Sequence, residues 1–172
     1  MKTSSLRFFL YLICIPLLSS CWGNIDEPPI DIDDSFASAY EPIFMSREQL
    51  ESSIAIENPK AMSEAGKIYL RGSHIFINDK NEGFHIFNNL DPSNPNAFKF
   101  LKAPGSTDIA LRNNVLYVNQ ATDLVALTYT ANYENLTETE RIRNIFPPKY
   151  QTPDGYFFTY NSDSILVGWK LK

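Results

Sequence analysis

Imidazoles and carboxylates are the side chains here that could bind metal or move protons. His74 and His85 are the only histidines. Both lie in "GSHIFINDKNEGFHIFNN", Gly72 to Asn89, where two apolar runs flank a polar, turn-prone middle. Two imidazoles on the strands of one hairpin would approach each other and begin a zinc site. A structural zinc site needs about four ligands, usually Cys, His or carboxylate, and no cysteine is free to complete one. By strand alternation His85 points to the opposite face from Phe84 and Ile86. Both histidines are therefore expected to be strand residues. The carboxylates Asp79, Glu82, Asp108 and Asp123 fall at hairpin ends and strand starts, where such residues form turns. There is no Gly-x-Ser-x-Gly, no His-Glu-x-x-His and no phosphate-cradling glycine loop. No catalytic, cofactor-binding or metal-ligating residue is assigned. The aromatic set Tyr156, Phe157, Phe158, Tyr160 and Trp169 is dense. It reads as core packing or an exposed edge, with a stacking platform for a sugar or peptide as the sharper alternative.

Such residues need a scaffold. A chain of 172 residues is enough for one small domain with one core. Its 13% aromatic content suits a packed β-rich domain rather than a disordered chain. The net charge is −5. An acidic chain with no Lys/Arg block repels phosphate backbones, so nucleic acid is not an expected partner.

The first twenty residues read as a targeting segment. Lys2 and Arg7 are the basic region, and "FFLYLICIPLL", Phe8 to Leu18, is the apolar run. The run is too short to span a bilayer as a mature helix. Leu18-Ser19-Ser20-Cys21 resembles the bacterial lipobox, in which the Cys is diacylated through its sulfur and becomes the new N-terminus. Cys21 is the expected lipidation site. Cleavage there would remove Lys2 and Arg7 and take the net charge from −5 to −7. It would also remove Cys14 and leave one cysteine, so no internal disulfide could form. Two acyl chains suffice for stable anchoring, at about 0.8 kcal/mol per buried CH₂.

Residues 21–42 are expected to be an acidic tether. Pro28-Pro29 prevents regular structure, and Asp26, Glu27, Asp31, Asp33 and Asp34 keep the segment solvated. Asp31-x-Asp33 imitates the start of a calcium-binding loop. No turn glycine follows and no Glu closes twelve residues, so no metal is assigned. A helix is expected next. Ser46 and Gln49 make a capping-box pattern, Leu50 and Ile54 share a face, and Asn58-Pro59 ends it.

From Gly66 the apolar period becomes two, the signature of strands. "KIYLRG", "HIFIN", "GFHIFN" and "NAFKFLKAP" are four short strands separated by turns. The unit recurs. "IYLRGSHIFIN", Ile68 to Asn78, aligns without gaps on "IALRNNVLYVN", Ile109 to Asn119, at an offset of 41. "GFHIFN" aligns on "DLVALT" at an offset of 40, with one residue fewer in the hairpin loop. "RIRNIFPP", Arg141 to Pro148, takes the place of the fourth strand. A partial third copy reads "YFFTY", Tyr156 to Tyr160, then "ILVGW", Ile165 to Trp169. In this frame His74 aligns with Val115 and Tyr156, a position that accepts apolar and aromatic residues, and His85 aligns with Val125. A period near forty with four strands is that of β-propeller blades. The fold class expected is mainly β, with antiparallel four-stranded blades preceded by one short helix. The repeat domain spans 43–172, with blades near 66–105 and 106–148 and a partial one at 153–172.

"GFHIFNNLDPSNP", Gly83 to Pro95, resembles the LVIVD repeat of bacterial surface β-propellers, with Asp91-Pro92 and Asn94-Pro95 at its turn. Leu124-Val125-Ala126-Leu127 fits too, although Thr128 replaces the usual Asp. Together with the lipobox, the layout resembles lipoproteins of Bacteroidetes-type bacteria. That resemblance implies a cell-envelope, outer-membrane lipoprotein facing the periplasm or the surface. It implies no activity and no cofactor. The expected function is a non-enzymatic binding or scaffold module with a protein or glycan ligand. A fragment of an envelope enzyme completed by missing blades, and a degenerate remnant, are the alternatives. Propellers close with about four to eight blades, so this chain reads as truncated, as self-assembling through an open blade edge, or as a small open sheet stack.

Overall fold

The computed structural model describes residues 38–160 and 163–172. The apolar leader, Cys21 and the tether as far as residue 37 lie outside the described residues. The domain is antiparallel β with one short helix, as the period-two pattern requires.

The first strand, β1 (Tyr40–Met45), begins inside the expected tether, so regular structure starts before residue 43. Helix α1 (Arg47–Glu51) follows. Both reciprocal capping-box bonds are made: the Ser46 hydroxyl accepts from the Gln49 amide at 3.2 Å, and Gln49 Oε1 accepts from the Ser46 amide at 2.8 Å. Leu50 is fully buried. The helix stops well short of Asn58. The Ser52 and Ser53 hydroxyls donate to the carbonyls of Glu48 and Leu50, each at 2.7 Å, which satisfies the helix end. The chain then turns into β2 (Ala55–Glu57).

The first sheet has five strands in the order β2-β6-β5-β4-β3, where β3 is Ala65–Arg71, β4 His74–Asp79, β5 Gly83–Asn88 and β6 Asn96–Lys102. The fifth strand, β2, comes from the segment expected as helix. The second sheet has four, in the order β10-β9-β8-β7, where β7 is Ser106–Arg112, β8 Val115–Gln120, β9 Asp123–Tyr129 and β10 Leu136–Ile142. Registers repeat between the sheets: Ile68 faces Ile77 and Ile109 faces Val118, while Phe76 faces Ile86 and Tyr117 faces Ala126. The hairpin loops use left-handed residues, with Gly72, Asn81, Asn113 and Ala121 at φ between 52° and 62°. Gly83 is a steric requirement, since a Cβ there would lie 2.0 Å from the Leu101 carbonyl oxygen.

Two expectations about the later strands fail as well. The fourth strand of the second sheet is Leu136–Ile142, ending where Arg141–Pro148 was expected to begin. Pro147 and Pro148 cannot donate to a ladder, whereas "LTETERI" pairs with β9 along its length. Residues 156–160 form no strand, only a single bridge from Gln151 to Phe157. The final strand, β11 (Ile165–Leu171), pairs instead with β1, Tyr40 opposite Leu171 and Met45 opposite Ile165. The two form a separate ribbon from both ends of the described chain.

The two sheets pack face to face. Tyr69, Phe76, Phe84 and Ile86 of the first meet Ile109, Leu116, Val118, Val125 and Leu127 of the second in one core. Tyr133, in the loop before β10, bridges them. It stacks on Tyr129 with centroids 4.5 Å apart and lies edge-on to Phe76 at 5.9 Å. Burial, then the hydrogen bond to Tyr129, pushes its hydroxyl pKa upward. Asp108 adds a polar link between the edge strands β3 and β7. It accepts from Lys67 and from the Tyr69 hydroxyl, and Arg71 donates to the Asn113 carbonyl at 3.1 Å. Desolvation, and then the bond to Asp108, pushes Tyr69 up to about 12.

Candidate functional site

Strand alternation decides the fate of the two histidines. His74 shares a face with Phe76 and packs on Tyr133 and Phe98, with centroids 5.1 and 6.0 Å away. Burial pulls its pKa down. His85 lies on the opposite face, with its ring 4.8 Å from that of Phe100. A β-sheet therefore stands between them. Among the described residues, no three His, Cys, Asp or Glu side chains are grouped to hold a metal ion.

His85 does meet a carboxylate. Its Nε2 is 3.0 Å from Asp79 Oδ2, and both side chains are buried. Asp79 also accepts from the Ser63 amide (3.0 Å), the Ser63 hydroxyl (2.7 Å) and the Glu64 amide (2.7 Å). Burial opposes ionisation of Asp79, but the two backbone amides, His85 and the Ser63 hydroxyl outweigh it. Its pKa lies well below the usual carboxylate range. Serine, histidine and aspartate are thus gathered, but in the wrong order for nucleophilic catalysis. A catalytic triad needs the hydroxyl on the imidazole and the imidazole on the carboxylate. Here the carboxylate is central and takes both donors. It pins the segment around Ser63 across the end of the first sheet.

Asp123 does the same work in the second sheet. Its buried carboxylate accepts from Arg47 at 2.5 Å, Arg141 at 3.0 Å and the Asn144 amide at 3.1 Å. Burial again opposes ionisation. The Asn144 amide and the guanidinium groups prevail, and its pKa is lowered. Gln120 completes the cluster. Its amide donates to the Leu50 carbonyl at 3.1 Å, and its oxygen accepts from Arg141 at 2.9 Å. The network thereby fastens α1 to the second sheet. These roles for Asp79 and Asp123 extend the turn-forming expectation: both stand at hairpin ends, and both bind neighbouring backbone. Arg47, Arg141 and Ser63 were not singled out in the sequence, because their partners are far away along the chain.

Two clefts open beside the β1–β11 ribbon. The first, about 560 Å³, lies between the ribbon and the end of the first sheet. Tyr40, Ile43, Val167 and Trp169 line it from the ribbon, and Phe100 and Pro104 from the other side. Three ion pairs ring it: Lys60–Glu82, Lys80–Glu64 and Lys102–Glu57, the last at 3.6 Å. Lys60 also lies over the Phe100 ring, 4.2 Å from its centre. The second cleft, about 680 Å³, is lined by Phe146, Pro147, Tyr150, Tyr160 and Arg47 among others.

The aromatic set singled out in the sequence divides between these surroundings. Phe158 and Tyr160 stack at 5.3 Å, and Trp169 meets Phe158 edge-on at 5.0 Å. Phe44 and Tyr150 join them. Burial, and then the neighbouring Tyr150, raises the Tyr160 pKa. Tyr156 and Phe157 stay outside this cluster and are exposed, Phe157 at 79%. A wall of packed rings therefore separates the two clefts, with Trp169 facing the first and Tyr160 the second. Phe44 and the lining residues of β1 lie some 120 positions from Trp169, and no local signal joins them. Comparison with family models, with curated proteins and with solved structures finds no match.

Proposed function

We propose that this protein is a non-enzymatic binding module of the cell envelope, with propeller-like blades and a lipid anchor on Cys21. The ligand is a protein segment or a glycan, held in the cleft beside Trp169. The observation that carries this reading is the cleft itself. It combines an aromatic and aliphatic lining with a rim of Lys–Glu pairs, the usual make-up of a recognition site. Tyr40 and Trp169 offer flat faces for sugar rings or apolar side chains. The buried carboxylates support the same reading, because their acceptor sites are already filled by structural donors.

The anchor and the cleft are tested separately. Metabolic labelling with a palmitate analogue is expected to mark the protein and to fail on Cys21→Ser; an unlabelled wild type overturns the anchor. Titration with envelope glycan fragments and peptides is followed by tryptophan fluorescence. A saturable change, weakened in Tyr40→Ala, which keeps the Trp169 reporter, is expected. No saturable change with any of them overturns the assignment of the cleft.

A further inference from the structure

The interface between the two sheets shows, through the repeat, what the outer faces are suited to meet. The first sheet contributes Tyr69, Phe76, Phe84 and Ile86 to the shared core. At the repeat offsets their counterparts in the second sheet are Ala110, Tyr117, Leu124 and Ala126. The second sheet contributes Ile109, Leu116, Val118, Val125 and Leu127. Their counterparts in the first sheet are Ile68, Ile75, Ile77, His85 and Phe87. The chain thus joins one face of its first unit to the opposite face of its second. One further example of each face is left, on the two outer sides.

Among the described residues, those outer faces are open in part, with His85 and Phe100 of the first sheet buried. Ile68 and Leu70 are each 68% exposed on β3, an edge strand of its sheet, and Ile75, Ile77 and Phe87 are half-buried. On the other side Tyr117, Leu124 and Ala126 line a shallow groove of about 310 Å³ with Val115 and Ile142. Single exposed apolar residues need no explanation, but contiguous apolar sheet faces do.

We propose that a second copy of this chain docks there, head to tail, with the outer face of the first sheet of one copy on the outer face of the second sheet of the next. The contact repeats the operation that already joins the two sheets within one chain. Charge agrees with it. Lys67 and Asp108 occupy the same position in successive repeats and pair across β3 and β7. A head-to-tail contact brings Asp108 of one copy towards Lys67 of the next, again with opposite signs. Heterologous contacts of this kind close into rings when the rotation permits. The proposal is independent of the anchor and of the ligand in the cleft.

Sedimentation velocity on the purified full chain in mild detergent, which removes association through lipid, tests it. The wild type is expected to form a concentration-dependent oligomer. Leu70→Glu blocks one face and Tyr117→Glu the other, and each is expected to weaken association about tenfold or more. Ile142→Glu, at a position 48% exposed, repeats the second block with less risk to folding. Mixing the Leu70→Glu and Ile142→Glu proteins leaves one intact pair of faces and is expected to restore a one-to-one dimer. A wild type that stays monomeric at all concentrations overturns the proposal. So does a mixture that stays monomeric while the wild type associates.

Discussion

The two sheets have the same hairpin register but stabilise their ends with different chemistry. In the first sheet, Asp79 on β4 carries the buried carboxylate, and Gly83 opens β5 with no room for a side chain. In the second, Gln120 takes the place of Asp79, and Asp123 stands where Gly83 stood. The carboxylate has moved across the hairpin to the partner strand. Its donors change as well: backbone amides, a serine and a histidine in the first sheet, two arginines, one amide and the Thr122 hydroxyl in the second. The shared requirement is to hold an adjoining segment against the sheet end. Many residue pairs can meet it, provided the buried charge is fully hydrogen-bonded.

The largest expected effect is in the second sheet. Asp123→Ala takes from Arg141, only 7% exposed, and Arg47 their shared partner and leaves Arg141 only its ion pair with Glu138 at 2.8 Å. Removing one member of a buried charged network costs about 3–5 kcal/mol. Chemical denaturation should show that loss, and Arg141→Ala made in the same background should add much less than it does alone.

The same register position separates the sheets next. Phe76 is fully buried between them, whereas its counterpart Tyr117 is half-buried on an outer face. Phe76→Ala should cost about 3–5 kcal/mol. Tyr117→Ala should cost about 1 kcal/mol in the monomer, near the middle of the range for point substitutions. Equal costs by denaturant unfolding would show that the two faces are equally covered.

Asp79→Asn should cost about 1–3 kcal/mol at neutral pH and alter the acid limb of the stability curve. The folded pKa of Asp79 lies below its unfolded value of about 3.9. The stabilisation is therefore present above that unfolded value and is lost as pH falls towards the folded one. Asp123 is shifted in the same direction. Each Asn variant should flatten the fall in stability below about pH 4, and the double variant should flatten it most. His74 works in a higher window. Its lowered pKa makes the unfolded chain the better proton binder, so stability should decline slightly as pH falls through about 6.5. His74→Phe should abolish that slope.

The smallest effect distinguishes a cap from the sheet networks. Ser46→Ala removes one half of the capping box of α1 and should cost about 1 kcal/mol. Thermal unfolding should register it. If it cost as much as Asp123→Ala, the helix rather than the arginine cluster would be the main fastening on the second sheet.

Much of this architecture was legible in the residues. "GFHIFN" coincides with β5 end to end, and the helix start follows from Ser46 and Gln49. The failures have identifiable causes. In β10 the alternation is carried by Thr and Glu on an edge strand, so there is little apolar signal to read. "YFFTY" has ample β propensity, but β11 takes its partner from β1 instead. Ala55–Glu57 belongs to a helical pattern locally and is captured by the open side of β6. Propensity yields in each place to the strand that supplies the missing hydrogen bonds.

By itself the sequence determined the antiparallel hairpins and their repetition, because period-two patterning and turn residues act over a few positions. It placed both histidines on strands, and the structure then set them on opposite faces of one sheet. Only the tertiary structure decided that Asp79 would bind Ser63, that Asp123 would bind two arginines, and that β1 and β11 would close a cleft around Trp169. Those contacts join residues up to more than a hundred positions apart. Their partners are selected by which polar groups are buried together and must be satisfied, and no local pattern in the chain records that.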